Sequence, residues 1–314
     1  MITQCVCVLF DRVPSLSELA PRLSDCTGLS EAPAAEGEYG FAIGGPSLTV
    51  DYRSEVNGKA RIDLIDRPWP DEMGSPDREP LLFAAWSMGH FGPTTYPGSL
   101  ERALLHNHAF PYSDQLVPRH RAVLRIRTSY VFGAPESALV LPDHYDAIDE
   151  LRFVSLLQLR LATLPGALVL FNPNAELLLP AERLEAALAR KAPLPVDVWA
   201  SVRRVRPEEP AGWLLGDTVG MGQLDVVDQQ IVLPFDHPSA PNVGPLLLSM
   251  AAYDASHGGV LGPGDTASDA EGRGVSADWL GEASVGPPRR VLSWAPDDVE
   301  ELPEVFDAPE EAEA

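Results

Sequence analysis

The stretch DAIDELRFVSLLQLRLATLPGALVLF, residues 146–171, carries the pattern on which the fold turns. Ile148, Leu151, Val154, Leu157 and Leu161 recur at helical spacing, so Asp146 to Leu164 reads as an amphipathic helix. Pro165-Gly166 stops it, and Gly166 to Phe171 is a short, unbroken apolar run of the kind that forms a buried strand. A helix running directly into a buried strand places both element types in one unit.

Downstream, Pro180 begins a second helix, with Glu182 and Glu185 early and Arg190 and Lys191 late, charges that complement the helix dipole. Its apolar face is Leu184, Ala187 and Leu188. Val196 to Val205, Trp213 to Val219 and Asp225 to Leu233 read as strands, followed by a helix over Val243 to Tyr253.

Upstream, His120 to Tyr130 alternates Ala122, Leu124, Ile126 and Thr128 against Val123, Arg125 and Arg127, a strand pattern. Gln4 to Phe10 is a strand, and Ser15-Leu16-Ser17-Glu18 is a capping box opening a helix through about Leu23. Tyr39 to Ile43, Leu48 to Tyr52 and Ala60 to Ile65 form an antiparallel meander, with Asn57-Gly58 turning between the last two. Arg67-Pro68-Trp69-Pro70-Asp71 breaks it into a rigid loop. Leu81 to Met88 reads as a strand and Ser99 to His106 as a short helix. The expected architecture is α+β: two packed β-α-β-rich lobes with antiparallel or mixed sheets, over residues 1–115 and 116–264. From Asp265 the chain turns polar, Gly/Ser-rich and acidic, so 265–314 is expected to be a low-order tail in which only Arg290 to Trp294 docks as a strand.

The chain of 314 residues carries 46 acidic and 23 basic residues, a formal charge of -23. Such a surface repels phosphate backbones and anionic lipid, which argues against nucleic-acid and membrane partners and favours encounter with a basic protein. Cys5, Cys7 and Cys26 form no C-x-x-C pair and fit a reducing compartment, with Cys5 and Cys7 on one strand face of the core. Neither a signal peptide nor a run of membrane-spanning length is evident, so a cytoplasmic location is expected. Lys59 and Lys191 are the only lysines, a composition typical of GC-rich bacterial genomes.

Several catalytic geometries are excluded. There is no P-loop, nucleophile elbow, H-E-x-x-H helix or EF-hand loop, and no cofactor is expected. Three constellations stay open. His106, His108 and Asp114, with His90 and His120 nearby in sequence, are weak candidates for a metal site or a small-molecule hydrolase, although their spacing fits no standard site. Gly216 to Gly222 offers backbone amides to an anion, or simply a strand turn. Asp143, His144, Asp146, Asp149 and Glu150 sit at a helix start, where acid–base chemistry competes with capping. Trp69, Trp86, Tyr96 and Trp199 are candidate anchors for a protein partner.

The segments Asp149 to Phe153, Gly166 to Phe171, Pro195 to Trp199, Thr218 to Val226 and Val260 to Thr266 resemble, in order and spacing, the bacterial domain of unknown function 4261 family. The resemblance covers somewhat under half the chain. It implies an α+β fold and no reaction; the 265–314 segment departs from it. The expected role is a non-catalytic, immunity- or adaptor-like interaction with a basic bacterial protein.

Overall fold

The computed structural model describes residues 2–32, 40–42, 44–107, 110–135 and 138–306. Within it the chain is α+β and forms two compact units, Met1–Ala189 and Arg190–Ala314. The expected boundary near residue 115 is thus corrected. Residues 116–189 share the first unit because β5 (Ala122–Ser129) pairs with both the N-terminal strand β1 (Gln4–Phe10) and β4 (Gly58–Ile65).

The other elements of the N-terminal unit are α1 (Leu16–Leu19), β2 (Ser30–Ala32), β3 (Ser47–Arg53), α2 (Pro80–Ser87), α3 (Ser99–Leu105) and α4 (Ser113–Leu116). They are followed by α5 (Ala147–Leu161), β6 (Ala167–Asn172), β7 (Leu177–Leu179) and α6 (Ala181–Leu188). Its antiparallel sheet runs β2-β3-β4-β5-β1-β6-β7. All of β1 is buried, which explains its unbroken apolar run from Cys5 to Phe10. On one face α5 packs Leu151, Val154, Leu157 and Leu161 inward, and Gln158 Nε2 donates to the Cys7 carbonyl at 2.7 Å. On the other face Cys5, Cys7 and Leu9 meet Trp69, Trp86 and Phe91.

Four local expectations change here. Leu81 to Ser87 belongs to α2, with Met88 at its C-cap, because Pro80 occupies the first turn of a helix; a nearly continuous apolar run has no visible period. In the Tyr39 to Ile43 segment, Tyr39 and Ile43 lie outside the described residues; Gly40 to Ala42 form a turn closed by Gly44 N–H to the Gly40 carbonyl at 2.7 Å. Asn57 does adopt the left-handed conformation (φ 58°), but after a short helical turn over Ser54–Val56 rather than in a two-residue hairpin. The capping box is present, with Glu18 N–H donating to Ser15 Oγ and Ser15 N–H to Glu18, yet α1 passes into a 3₁₀ turn at Ala20.

The C-terminal unit contains β8 (Ser201–Val205), β9 (Trp213–Val219), β10 (Asp228–Pro234), α7 (Val243–His257), β11 (Thr266–Ser268), β12 (Gly274–Glu282) and β13 (Arg290–Pro296). Its sheet is mixed, ordered β11-β12-β13-β10-β9-β8, with β10 and β13 parallel. Leu214, Ile231, Leu233 and Trp294 pack under Val243, Leu247 and Met250 of α7. Leu215 and Val232 point to the opposite face, where Phe306 and Leu302 cover them. Val196–Val198 is a 3₁₀ turn, not the start of β8. The low-order assignment for 265–314 is corrected as well: three strands and a terminal turn lie in it, and of that segment only 307–314 fall outside the described residues. Val275, Ala277, Trp279, Val291, Leu292 and Trp294 bury enough apolar surface to hold this segment on the sheet.

Candidate functional site

A concavity rich in carboxylates lies in the C-terminal unit. Ser276, Ala277 and Asp278 of β12 form one wall, Ala295 to Asp297 at the end of β13 another, and Val299 to Leu302 with Glu304 the third. Its volume is about 720 Å³. Asp278, Asp297, Glu300, Glu301 and Glu304 are all exposed, and no lysine or arginine is among the lining residues. One side chain is positioned: Asp297 Oδ1 accepts from Ser276 Oγ at 2.7 Å. Gly274 makes this possible, since a Cβ there would lie 2.0 Å from Asp297 Oδ2. The groove therefore presents uncompensated negative charge on a framework of two paired strands. Carboxylates so arranged can attract cations.

A second groove of the same unit, about 640 Å³, is lined mainly by Pro193, Leu194, Val196, Pro245, Leu248 and Tyr253. Its walls are apolar, and Tyr253 stacks on His257 at 4.2 Å.

Each unit buries an ionic network. In the N-terminal unit the register aligns Asp63, Arg125 and Cys7 in one row and Arg61, Arg127 and Cys5 in the next, all on the aromatic side of the sheet. Asp63 is fully buried and accepts from Arg61 Nε (2.9 Å), from Arg125 Nε and Nη2 (3.2 and 3.1 Å) and from Arg127 Nη2 (2.6 Å). Burial would raise its pKa, but Arg127, Arg125 and Arg61 hold it below the ordinary carboxyl value. Desolvation and the neighbouring Arg127 bring Arg125 down to about 10, and desolvation with both arginines brings His90 down to about 4.

In the C-terminal unit Arg203 pairs with Asp217 through Nε (2.9 Å) and Nη2 (2.5 Å), and Arg289 bridges Asp217 and Asp228. Desolvation raises Asp228 to about 6. A folded-state pKa above the ordinary value of about 3.9 means that this group contributes stability fully present below about pH 4 and lost as pH rises through about 6. Asp228→Asn, which mimics the neutral form, is expected to flatten the stability profile between about pH 4 and 6 by about 1–3 kcal/mol. Urea midpoints across that range test it, and an unchanged profile rejects it.

No family model, curated protein or solved structure matches the chain.

The residues singled out from sequence are dispersed or already occupied. His106 caps the end of α3, Asp114 is exposed on α4, and His108 lies outside the described residues. His120 is buried, its Nε2 accepting from the Trp69 N–H at 2.9 Å and its Nδ1 beside the Val117 carbonyl. Among the described residues no group of three or more His, Cys, Asp or Glu side chains is placed to hold a metal. The Gly216 to Gly222 stretch does bind an anion, but the anion is the protein's own: Met221 N–H and Thr218 Oγ1 donate to Asp228 Oδ1 at 3.1 and 2.8 Å. Gly216 itself is needed for packing, because a Cβ there would lie 2.2 Å from Val243.

The acidic cluster at the start of α5 divides into two structural roles. Asp146 Oδ1 caps the helix by accepting from Asp149 N–H at 2.9 Å, while Glu150 turns inward and accepts from Thr3 and Tyr145 hydroxyls, each at 3.0 Å. Desolvation raises the Glu150 pKa. Of the four proposed anchors, Trp69, Trp86 and Trp199 are buried and only Tyr96 is exposed, at 38%. The first two belong to the aromatic core, and Trp199 accepts at its carbonyl from Gln223 Nε2 at 2.6 Å. The acidic groove was missed because its residues fall in the segment read as low-order; the alternation of Val275 and Ala277 ahead of the Arg290 to Trp294 strand was the available signal.

Among the described residues no helix is long and apolar enough to cross a membrane.

Proposed function

We propose that the protein is a non-catalytic, cytoplasmic interaction module that binds a basic bacterial protein through the acidic groove, in an immunity- or adaptor-like role. The observation that carries this reading is the set of five exposed carboxylates, Asp278, Asp297, Glu300, Glu301 and Glu304, around one concavity with no basic residue in its lining. A chain of formal charge -23 attracts cations over its whole surface, so the groove matters only if it adds local specificity to that field.

Combined Glu300→Lys, Glu301→Lys and Glu304→Lys replacement is expected to weaken binding of an arginine-rich peptide by about tenfold or more at low salt. Glu185→Lys, Glu208→Lys and Glu209→Lys together change the net charge equally on exposed sites outside the groove, and are expected to weaken it far less. Isothermal titration of both variants, with circular dichroism to check folding, decides the matter. Equal losses would reduce the interaction to bulk charge and reject the groove.

A further inference from the structure

The strand forming one wall of the groove is only half covered. β11 pairs with Gly274 to Ser276, and Gly264 and Asp265 then exchange backbone hydrogen bonds with Ala277, both at 2.8 Å. Beyond that point β12 continues to Glu282, paired with β13 alone. Among the described residues no strand lies along its other flank from Asp278 to Glu282. In an antiparallel ladder, alternate residues direct their N–H and C=O groups away from the paired neighbour, so this flank offers a row of open donors and acceptors. Its length is about 17 Å.

The side chains along the flank choose the occupant. Asp278, Leu280 and Glu282 are exposed, and Asp278 also lines the acidic groove. A bulge between Ala277 and Trp279 turns the strand here, and Trp279 is held underneath by its Nε1–H donating to the Phe306 carbonyl at 3.1 Å. Charges and a bulge at an edge deter pairing with a second copy of the same acidic chain. They favour an extended segment that carries lysine or arginine.

We infer that the basic partner docks by strand addition: an extended Lys/Arg-bearing segment pairs with the β12 edge over Asp278 to Glu282 and places cationic side chains in the adjoining groove. This rests on the groove reading above and specifies its mode. Backbone hydrogen bonds supply register, Leu280 offers an apolar contact, and the carboxylates supply charge selectivity.

The probe is a capped peptide alternating arginine and valine, compared with the same peptide N-methylated at every second residue, which keeps the charge but cannot form a ladder. Titration at about 50 and 300 mM salt, with hydrogen-exchange mass spectrometry of the complex, reads both affinity and location. The expected result is that N-methylation weakens binding about tenfold or more and that the unmodified peptide protects amides within 278–282 by a similar factor. Equal binding of the two peptides, or protection confined to other segments, overturns strand addition while leaving salt-dependent capture of a basic partner in place. Failure of the unmodified peptide to bind at low salt overturns it too, and the lysine variants of the groove then report separately on the underlying reading.

Discussion

Asp63→Ala is expected to destabilise the N-terminal unit by about 3–5 kcal/mol, because three guanidinium groups converge on this one carboxylate. Arg125 is fully buried and keeps only its bonds to the Phe41 and His90 carbonyls once Asp63 is gone. Arg127 fares worse, since its Nε already lacks a partner. Leaving two buried cations uncompensated is far more costly than losing the ion pairs themselves. Against a total stability of about 5–15 kcal/mol, the loss would bring the unit close to unfolding.

The same logic gives a rescue. Replacing Asp63, Arg125 and Arg127 together by leucine or methionine removes the charges as well as their partner, and should recover most of the loss. Urea denaturation measures the magnitude, and hydrogen exchange of β4 and β5 assigns it to this unit. A loss below about 1 kcal/mol, or a triple variant no better than Asp63→Ala, would show that water enters the cluster and screens it. The pH dependence has the opposite sign from that of Asp228. The Asp63 pKa is lowered by folding, so its contribution is present above the ordinary carboxyl pKa and is lost as pH falls through the folded value.

This cluster also marks the limit of what sequence pattern conveys. Arg125 and Arg127 alternate with Leu124 and Ile126, which identifies β5 as a strand but suggests a solvated face for the arginines. Both are buried because Asp63 lies opposite Arg125 on β4, a pairing set by strands about sixty residues apart in sequence. By contrast α5, β1 and β6 were legible because their burial follows from local spacing: one apolar stripe on α5, and no polar residue within Val6 to Phe10. The α2 run from Leu81 to Trp86 is apolar throughout, so period cannot distinguish helix from strand, and Pro80 was the deciding residue. β12 hid for the converse reason, since its apolar residues stand amid glycine, serine and acid, whereas Arg290 to Trp294 was legible as a strand and gains its place in β13 by parallel pairing with β10, some sixty residues earlier. A composition test counts those residues as unable to fold, whereas the sheet supplies the missing surface.

Trp69 shows how an exposed-looking aromatic becomes a core residue, and its replacement is the second large effect expected. Lying between Pro68 and Pro70, it resembles a loop tip, yet its ring is buried in the core. There it packs edge-on against Phe91 and Phe171, with ring centres 5.0 Å away in each case, and against Phe41 and Trp86 at 6.0 and 6.3 Å. Trp69→Ala would open a cavity among four aromatic rings and is expected to cost about 3–5 kcal/mol. Trp69→Phe should cost much less, because it keeps an aromatic ring and removes a buried indole N–H that has no hydrogen-bond partner. Thermal and urea unfolding of the two variants distinguish the roles of this side chain. A docking anchor would leave stability within about 0.5 kcal/mol of the parent after truncation and weaken only binding. A core residue gives the reverse: a large, size-dependent loss of stability, with arginine-rich peptide affinity unchanged as long as the protein remains folded, since the groove proposed to bind it is lined by residues 276–304.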